Sequence, residues 1–196
     1  IVIGHDWGAL PGYAMAQLIP NYMTTLVTLD MAHPRSLQFS LKTVWKGRHI
    51  LTYQLKQRAV AHVKRNGFAH LDEIYRRWSP NWDFEEQETA VVKQAFSHPG
   101  RVEAALGYYW SFKADFRGKD ERAAKSRAIS SAKTTVSTLC IVGDWGGISA
   151  KQMAATPAAF SGNYEYTILP NVGHFLHREA PEQFYPLLAE FLDNFQ

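Results

Sequence analysis

The feature that most constrains how this chain folds is the spacing of four short runs rich in apolar and β-branched residues. They lie at Ile1 to Ile3, Leu26 to Leu29, Leu139 to Val142 and Tyr166 to Leu169, and each stops at Gly, Asp or Pro. Largely apolar runs of this length, without regular polar alternation, suit parallel strands covered on both faces. Helical segments stand between or after most of them. Ala9 to Leu18 follows the first run. Pro181 to Phe195 follows the last, with proline at the helix start and Phe184, Leu187, Leu188 and Phe191 at helical spacing. Strand and helix alternating on this scale predict a parallel sheet with right-handed crossovers, so the fold class is α/β with a partial sheet of four strands.

One interval breaks the alternation. From about Pro34 to Ser130 no buried strand is legible. The segment is rich in Trp, Tyr, Arg and Lys, and helical patterning runs over Ile50 to Asn66, Ala69 to Trp78 and Glu86 to Phe96. Insertions at strand ends commonly form lids over a site. The predicted organisation is therefore a core portion at 1–33, a helical lid at 34–130 and a second core portion at 131–196. With 196 residues, 46% of them hydrophobic and 20% charged, the chain can bury a real core. No internal repeat or low-complexity tract is present.

Composition excludes several function classes. The net charge of +3 comes from Lys and Arg spread along the chain, with short clusters such as Arg76-Arg77 rather than a basic tract interleaved with aromatics. No nucleic-acid partner is expected. The single cysteine, Cys140, lies in an apolar run and reads as a buried structural thiol. No apolar stretch approaches the roughly 20 residues that cross a bilayer, and no signal-peptide layout opens the chain, so a cytoplasmic protein without a membrane partner is expected. The chain begins, without methionine, at what reads as the last residues of a buried strand. Either residues precede Ile1 or the gene is truncated.

Two motifs carry chemistry. Gly4-His5-Asp6-Trp7-Gly8 stands directly after a strand and before a helix. It has the form small-x-nucleophile-x-small, in which glycines permit a tight, strained turn that lifts the central residue above the sheet. A carboxylate such as Asp6 suits attack on an alkyl carbon, because displacement of an epoxide oxygen or a halide leaves an ester that water cleaves. The alternative is that Asp6 caps the helix beginning near Ala9. The second motif, Asn171-Val172-Gly173-His174-Phe175-Leu176-His177-Arg178-Glu179-Ala180-Pro181, links the last strand to the last helix. No convincing third ligand accompanies His174 and His177, so a metal pair is disfavoured and His177 reads as a surface or capping residue.

Gly-His-Asp-Trp-Gly is similar to the nucleophile elbow of epoxide hydrolases and many haloalkane dehalogenases. The segment around His174 resembles the Gly-His-Phe loop that carries the base in the same α/β-hydrolase superfamily. The resemblance implies a partial α/β-hydrolase fold with an inserted lid, lacking the family's N-terminal part. It makes Asp6 the nucleophile, His174 the water-activating base and the Trp7 backbone N–H an oxyanion donor, with His5 beside it. Ala104-Ala105-Leu106-Gly107-Tyr108-Tyr109-Trp110 resembles the Ala-Leu-x-x-Tyr lid segment of epoxide hydrolases, whose tyrosine hydrogen-bonds the epoxide oxygen. By position that role falls to Tyr109, while packing on an aromatic lid helix is the alternative for both Tyr108 and Tyr109. Tyr53 is the candidate second lid tyrosine, with Tyr75 behind it.

Two departures accompany these matches. The His-Gly-x-Pro loop that supplies the second oxyanion donor in the family does not occur in this chain, and loss of one donor costs on the order of a hundredfold in rate. Where the family usually carries the acid that orients the histidine, the chain has Gly146, within Gly143-Asp144-Trp145-Gly146-Gly147. Asp144 is one candidate replacement. The role is assigned instead to Asp30, since Asp30-Met31-Ala32-His33-Pro34 resembles the strand end that holds the acid in a subset of haloalkane dehalogenases; no acid at all is the remaining alternative. A parallel neighbour delivers its C-terminal residue to the same end of the sheet as the elbow.

The resemblance implies an epoxide hydrolase acting through a covalent alkyl ester on Asp6, with a small apolar epoxide as substrate and no cofactor or metal. Two rivals stand beside it. One is a haloalkane dehalogenase holding halide with Trp7 and a lid tryptophan, Trp45 or Trp110. The other is a non-catalytic remnant that binds small apolar ligands. In the family fold the strand at Ile1 to Ile3 is central, so a partner chain, a second copy or an upstream segment is expected to cover it.

Overall fold

The computed structural model describes residues 1–37 and 41–193. Four strands, β1 (Val2–His5), β2 (Thr25–Leu29), β3 (Ser137–Gly143) and β4 (Tyr164–Leu169), form one parallel sheet in the order β1-β2-β3-β4. The protein is thus an α/β fold with a partial sheet. β2 is buried along its whole length, whereas β4 is mostly half-buried or exposed. At the other edge, Ile1 just before β1 and Ile3 within it are 62% and 49% exposed.

α1 (Ala9–Leu18) covers one face of the sheet. Tyr13 and Ala16 of this helix pack with Leu26, Val136 and Phe160. Gly12 has a packing reason: a Cβ there would come within 2.8 Å of the Leu26 side chain, so the helix can lie close on β2 only without one. On the opposite face Val27, Leu29, Leu139 and Ile141 bury against Leu176 of α9 (Leu176–Glu179) and Phe184 and Phe191 of α10 (Pro181–Asp193). Adjacent residues of β2 thus serve different clusters, as the two-residue period of a strand requires.

Between β2 and β3 the described residues form helices and turns, with no strand. Here lie α2 (Leu41–Lys46), α3 (Arg48–Tyr53), α4 (Gln57–Trp78), α5 (Glu86–Ser97), α6 (Arg101–Arg117) and α7 (Glu121–Ser131). Tyr53, Ala59, Val60, Val63, Ile74, Val102 and Leu106 give α3, α4 and α6 a hydrophobic cluster of their own. α7, capped by the Asp120 carboxylate on the Ala123 N–H, packs on α1 as well as on α6. After β3, α8 (Ala150–Ala155) opens with a reciprocal capping box between Ser149 and Gln152.

The helix predicted over Ile50 to Asn66 is not continuous. It is interrupted after Tyr53 by Lys56, whose φ is 49°, and the following helix breaks again at Arg65 to Phe68. Asn66 and Gly67, at φ 50° and 61°, are the residue types that tolerate the left-handed region. The break at Arg65 to Phe68 falls at the boundary between the two predicted helices, Ile50 to Asn66 and Ala69 to Trp78, whereas the interruption after Tyr53 was not predicted.

Candidate active site

Asp6 sits where β1 turns into α1, with φ at 50°, in the left-handed region that strains a non-glycine residue. The two elbow glycines are not equivalent. A Cβ on Gly4 would lie 2.5 Å from the Gly8 carbonyl oxygen and 2.7 Å from Ala9 Cα, whereas one on Gly8 would meet nothing. Gly4 alone is sterically required. Neither the turn at Asp6–Gly8 nor α1 has a side-chain cap, so the Asp6 carboxylate is not spent on capping.

His174 is buried and stands between two carboxylates. Its Nδ1 lies 2.5 Å from Asp30 Oδ2, and its Nε2 lies 3.8 Å from Asp6 Oδ2. The first is a charge-assisted hydrogen bond; the second is an ion pair longer than a hydrogen bond. Burial by itself disfavours the imidazolium, but Asp30 and then Asp6 outweigh it and push the pKa up to about 10. Burial opposes the charge of Asp6 as well, yet His174, the nearby His5 and the Trp7 backbone N–H hold its carboxyl below the usual range. His174 is therefore held as an imidazolium between Asp30 and a charged Asp6.

Asp30 reaches His174 because β2 is the parallel neighbour of β1, so both strands finish at the same C-terminal end of the sheet. Its φ is 48°, its backbone N–H donates to Ile141 O at 2.9 Å, and its Oδ2 also accepts the Gly147 N–H at 3.2 Å. Gly146 explains why a carboxylate fits there. A Cβ at Gly146 would lie 2.2 Å from Asp30 Oδ1, so any other residue at 146 would occupy the space the carboxylate fills. Asp144 is exposed past the end of β3, where its backbone N–H donates to Leu169 O at 3.0 Å.

Over this trio lies an aromatic wall. The Trp7 indole meets Tyr109 edge-on with ring centroids 5.0 Å apart, and Phe112 at 5.5 Å. Burial raises the Tyr109 phenol to about 12; its contact with the Trp7 indole opposes this and the charge of Asp6 reinforces it. The group stays a protonated donor at any working pH. Tyr108, 62% exposed, sits at the rim 6.2 Å from the Trp7 ring. Tyr53 packs edge-on against Tyr109 at 4.9 Å, and its hydroxyl is engaged with His70 Nε2 at 2.8 Å. Tyr75 stacks on Phe175 beside His174, at 4.2 Å. His5 lies beside His174: its Nε2–H donates to the His174 carbonyl at 2.9 Å and its ring sits 4.6 Å from the imidazole. Burial, reinforced by His174, lowers His5 to about 4 and keeps it neutral. His177 flanks His5 at 5.1 Å.

Several residues here were not legible in the sequence. His49 is buried against Trp78, Tyr53 and Tyr109, and its Nδ1–H donates to Lys46 O at 3.2 Å, which leaves Nε2 as an acceptor in the neutral ring. Burial first, then the Arg77 charge, lowers its pKa to about 4. The i, i+4 spacing of His49 and Tyr53 was the signal that would have paired them. Trp78 packs on the His174 ring at 4.8 Å, and Ser79 and Glu179 hold the loop around it. Of the tryptophans considered for halide, Trp110 donates its Nε1–H to Tyr53 O at 2.7 Å, and Trp45 is exposed beneath the Arg48 guanidinium. Among the described residues no group of three or more His, Cys, Asp and Glu side chains is placed to hold a metal, and no helix is long and apolar enough to cross a membrane.

The sequence matches the family described as alpha/beta hydrolase fold over residues 1–181. It is 25% identical over 202 residues to the AB hydrolase superfamily protein YfhM of Bacillus subtilis (strain 168), covering 99% of this chain and 66% of that protein. This chain therefore spans slightly under two thirds of that relative's length. Among solved structures, the epoxide hydrolase CorEH without ligand aligns at a TM-score of 0.75 and 20% identity, covering 99% of this chain and 68% of that one. A single-site mutant of an epoxide hydrolase from Bacillus megaterium aligns at 0.77 and 18%, covering 97% and 68%. With the family match running through the elbow, both neighbouring strands and the histidine loop, this chain belongs to the alpha/beta hydrolase fold family.

Proposed function

We propose that this protein is a hydrolase that opens small apolar epoxides through an alkyl ester on Asp6. The observation that carries the reading is the placement of His174 between Asp6 at 3.8 Å and Asp30 at 2.5 Å, beneath a protonated Tyr109. An Asp6 oxygen attacks a ring carbon, the C–O bond breaks, and the departing oxygen takes the Tyr109 proton. Ester formation removes the charge of Asp6, one of the two groups that keep His174 protonated, so the imidazolium releases its proton to the phenolate through solvent. Neutral His174 then takes a proton from water as the oxygen attacks the Asp6 carbonyl carbon, with the Trp7 N–H on the developing oxyanion. Collapse expels the diol oxygen, which takes the remaining carboxyl proton. Asp6 and His174 return to their starting charges.

Asp30 orients the imidazole and stabilises its charged form, the role of the acid in hydrolase triads. His5 supports the same loop, and Tyr53 serves as a wall behind Tyr109. The engagement of the Trp7 indole with Tyr109, together with the commitments of Trp45 and Trp110, favours the epoxide over a halide.

The test is to incubate the His174→Ala protein with styrene oxide and weigh the peptide containing Asp6. An adduct of one substrate mass is expected, none in Asp6→Ala, and slower adduct formation in Tyr109→Phe. An unmodified peptide in His174→Ala, while the parent consumes substrate, overturns the mechanism. Bromide release from a bromoalkane with no epoxide turnover would transfer the assignment to dehalogenation.

A further inference from the structure

Three consecutive backbone N–H groups surround the His174 ring, and all of them end on one side chain or on a residue it holds. Glu179 Oε2 accepts the Gly173 N–H at 2.7 Å, and Oε1 accepts the Phe175 N–H at 2.6 Å. The Ser79 hydroxyl donates to the same Oε1, and Ser79 Oγ in turn accepts the His174 N–H at 3.1 Å, a donor shared with Trp78 O at 3.3 Å. Gly173 permits this approach: a Cβ on it would lie 2.6 Å from Ser79 Cα, Ser79 Oγ and Trp78 O alike. Glu179 makes no ion pair with its neighbour, since Arg178 turns outward to Glu88. Its carboxylate is committed to neutral donors that fix a loop.

We infer that Glu179, acting with Ser79 at the end of α4, is a positioning residue that sets the His174 ring between Asp30 and Asp6. The inference rests on the reading of His174 as the base. Glu179 touches no reacting atom, and it lies outside the groups whose charge shifts His174. Its effect is geometric. Loop drift of about an ångström would lengthen the Asp30 hydrogen bond and misplace Nε2 relative to the attacking water, a displacement of the kind that costs on the order of 100-fold. Ester formation needs only Asp6 and the lid, so the two chemical steps should respond differently. Glutamine at 179 keeps one acceptor but turns an NH2 toward the Gly173 N–H, so it should fall between the parent and alanine. Because Ser79 stands at the end of α4 and Glu179 on α9, the pair also makes the position of the base depend on the docking of α4.

The experiment follows formation and decay of the Asp6 adduct by mass spectrometry in the parent, Glu179→Ala, Glu179→Gln and Ser79→Ala with styrene oxide. The downfield NMR resonance of the His174 Nδ1 proton is recorded in each as a measure that needs no turnover. In Glu179→Ala, adduct formation should stay within about twofold, decay should slow about 10- to 100-fold, and the resonance should broaden or vanish. A Glu179→Ala protein with the parent's decay rate and resonance overturns the inference. So does equal slowing of both steps with a lowered thermal transition, which marks a general stability residue. A parent that forms no adduct, but whose resonance is lost in Glu179→Ala, overturns the epoxide reading and supports the loop assignment.

Discussion

At the scale of single residues, the site is organised by an exchange of volume between positions 30 and 146. Asp30 is almost fully buried, with 1% of its side chain exposed, and its carboxylate lies where a side chain from residue 146 would project. Gly146→Ala should therefore push the carboxylate off His174, with a stability loss of about 1 to 3 kcal/mol and slower ester hydrolysis. Asp30→Ala should slow ester hydrolysis far more than ester formation, because the imidazolium loses its orienting partner. If the volume is shared as the distances imply, adding Gly146→Asp to Asp30→Ala should restore part of that rate. Single-turnover decay of the Asp6 adduct reads all three variants. A double variant no faster than Asp30→Ala would mean that residue 146 cannot present a carboxylate to His174.

At the scale of elements, the histidine loop and the end of α4 are sutured through Trp78, Ser79 and Glu179, whereas among the described residues β1 has one side without a strand partner in the sheet. Ile1 and Ile3 leave apolar surface exposed at this strand. An open, apolar edge is a template for pairing with another chain. We expect this chain by itself to self-associate through β1, in the absence of a segment or partner that covers the edge. Ile3→Lys should shift the population toward monomer in sedimentation velocity while changing stability by less than about 1 kcal/mol, since Ile3 is 49% exposed and packs in none of the core clusters. A parent that sediments as a monomer at all concentrations, or a variant of unchanged size, would sink the expectation.

For the whole molecule, His174 on one side and His5, His33 and His49 on the other have opposite consequences for stability. His174 is raised to about 10, so its protonated form contributes stability that is complete below its ordinary value of 6.5 and lost as pH rises through about 10. His5, His33 and His49 are each lowered to about 4, in every case chiefly by burial. The unfolded chain protonates them near 6.5 while the folded chain does not, so stability falls as pH drops from 6.5 toward 4. The slope reaches at most about 1.4 kcal/mol per pH unit for each histidine. Thermal unfolding followed by circular dichroism should therefore peak near neutrality and decline on both sides. Flat behaviour between pH 6.5 and 4 would contradict the buried, neutral state of those three rings.

The apolar runs, the tight turn at Gly4 to Gly8 and the chain order of Asp6 before His174 determined the α/β class, the parallel sheet and the two chemical motifs. These are local properties: strand burial, glycine sterics and residue type at fixed offsets. Tertiary structure decided what depends on residues far apart in the chain meeting. It brings Asp30 rather than Asp144 within 2.5 Å of His174, because β2 lies beside β1 and Gly146 leaves the space. The same holds for His49 and Tyr53. Both are aromatic or imidazole groups on α3, and only packing against α4 and α6 turns the Tyr53 hydroxyl to His70 and the His49 ring to Tyr109. Glu179 was visible in the motif around His174, but its contacts were not, since they are backbone donors and Ser79, a hundred residues away, whose positions no sequence pattern records.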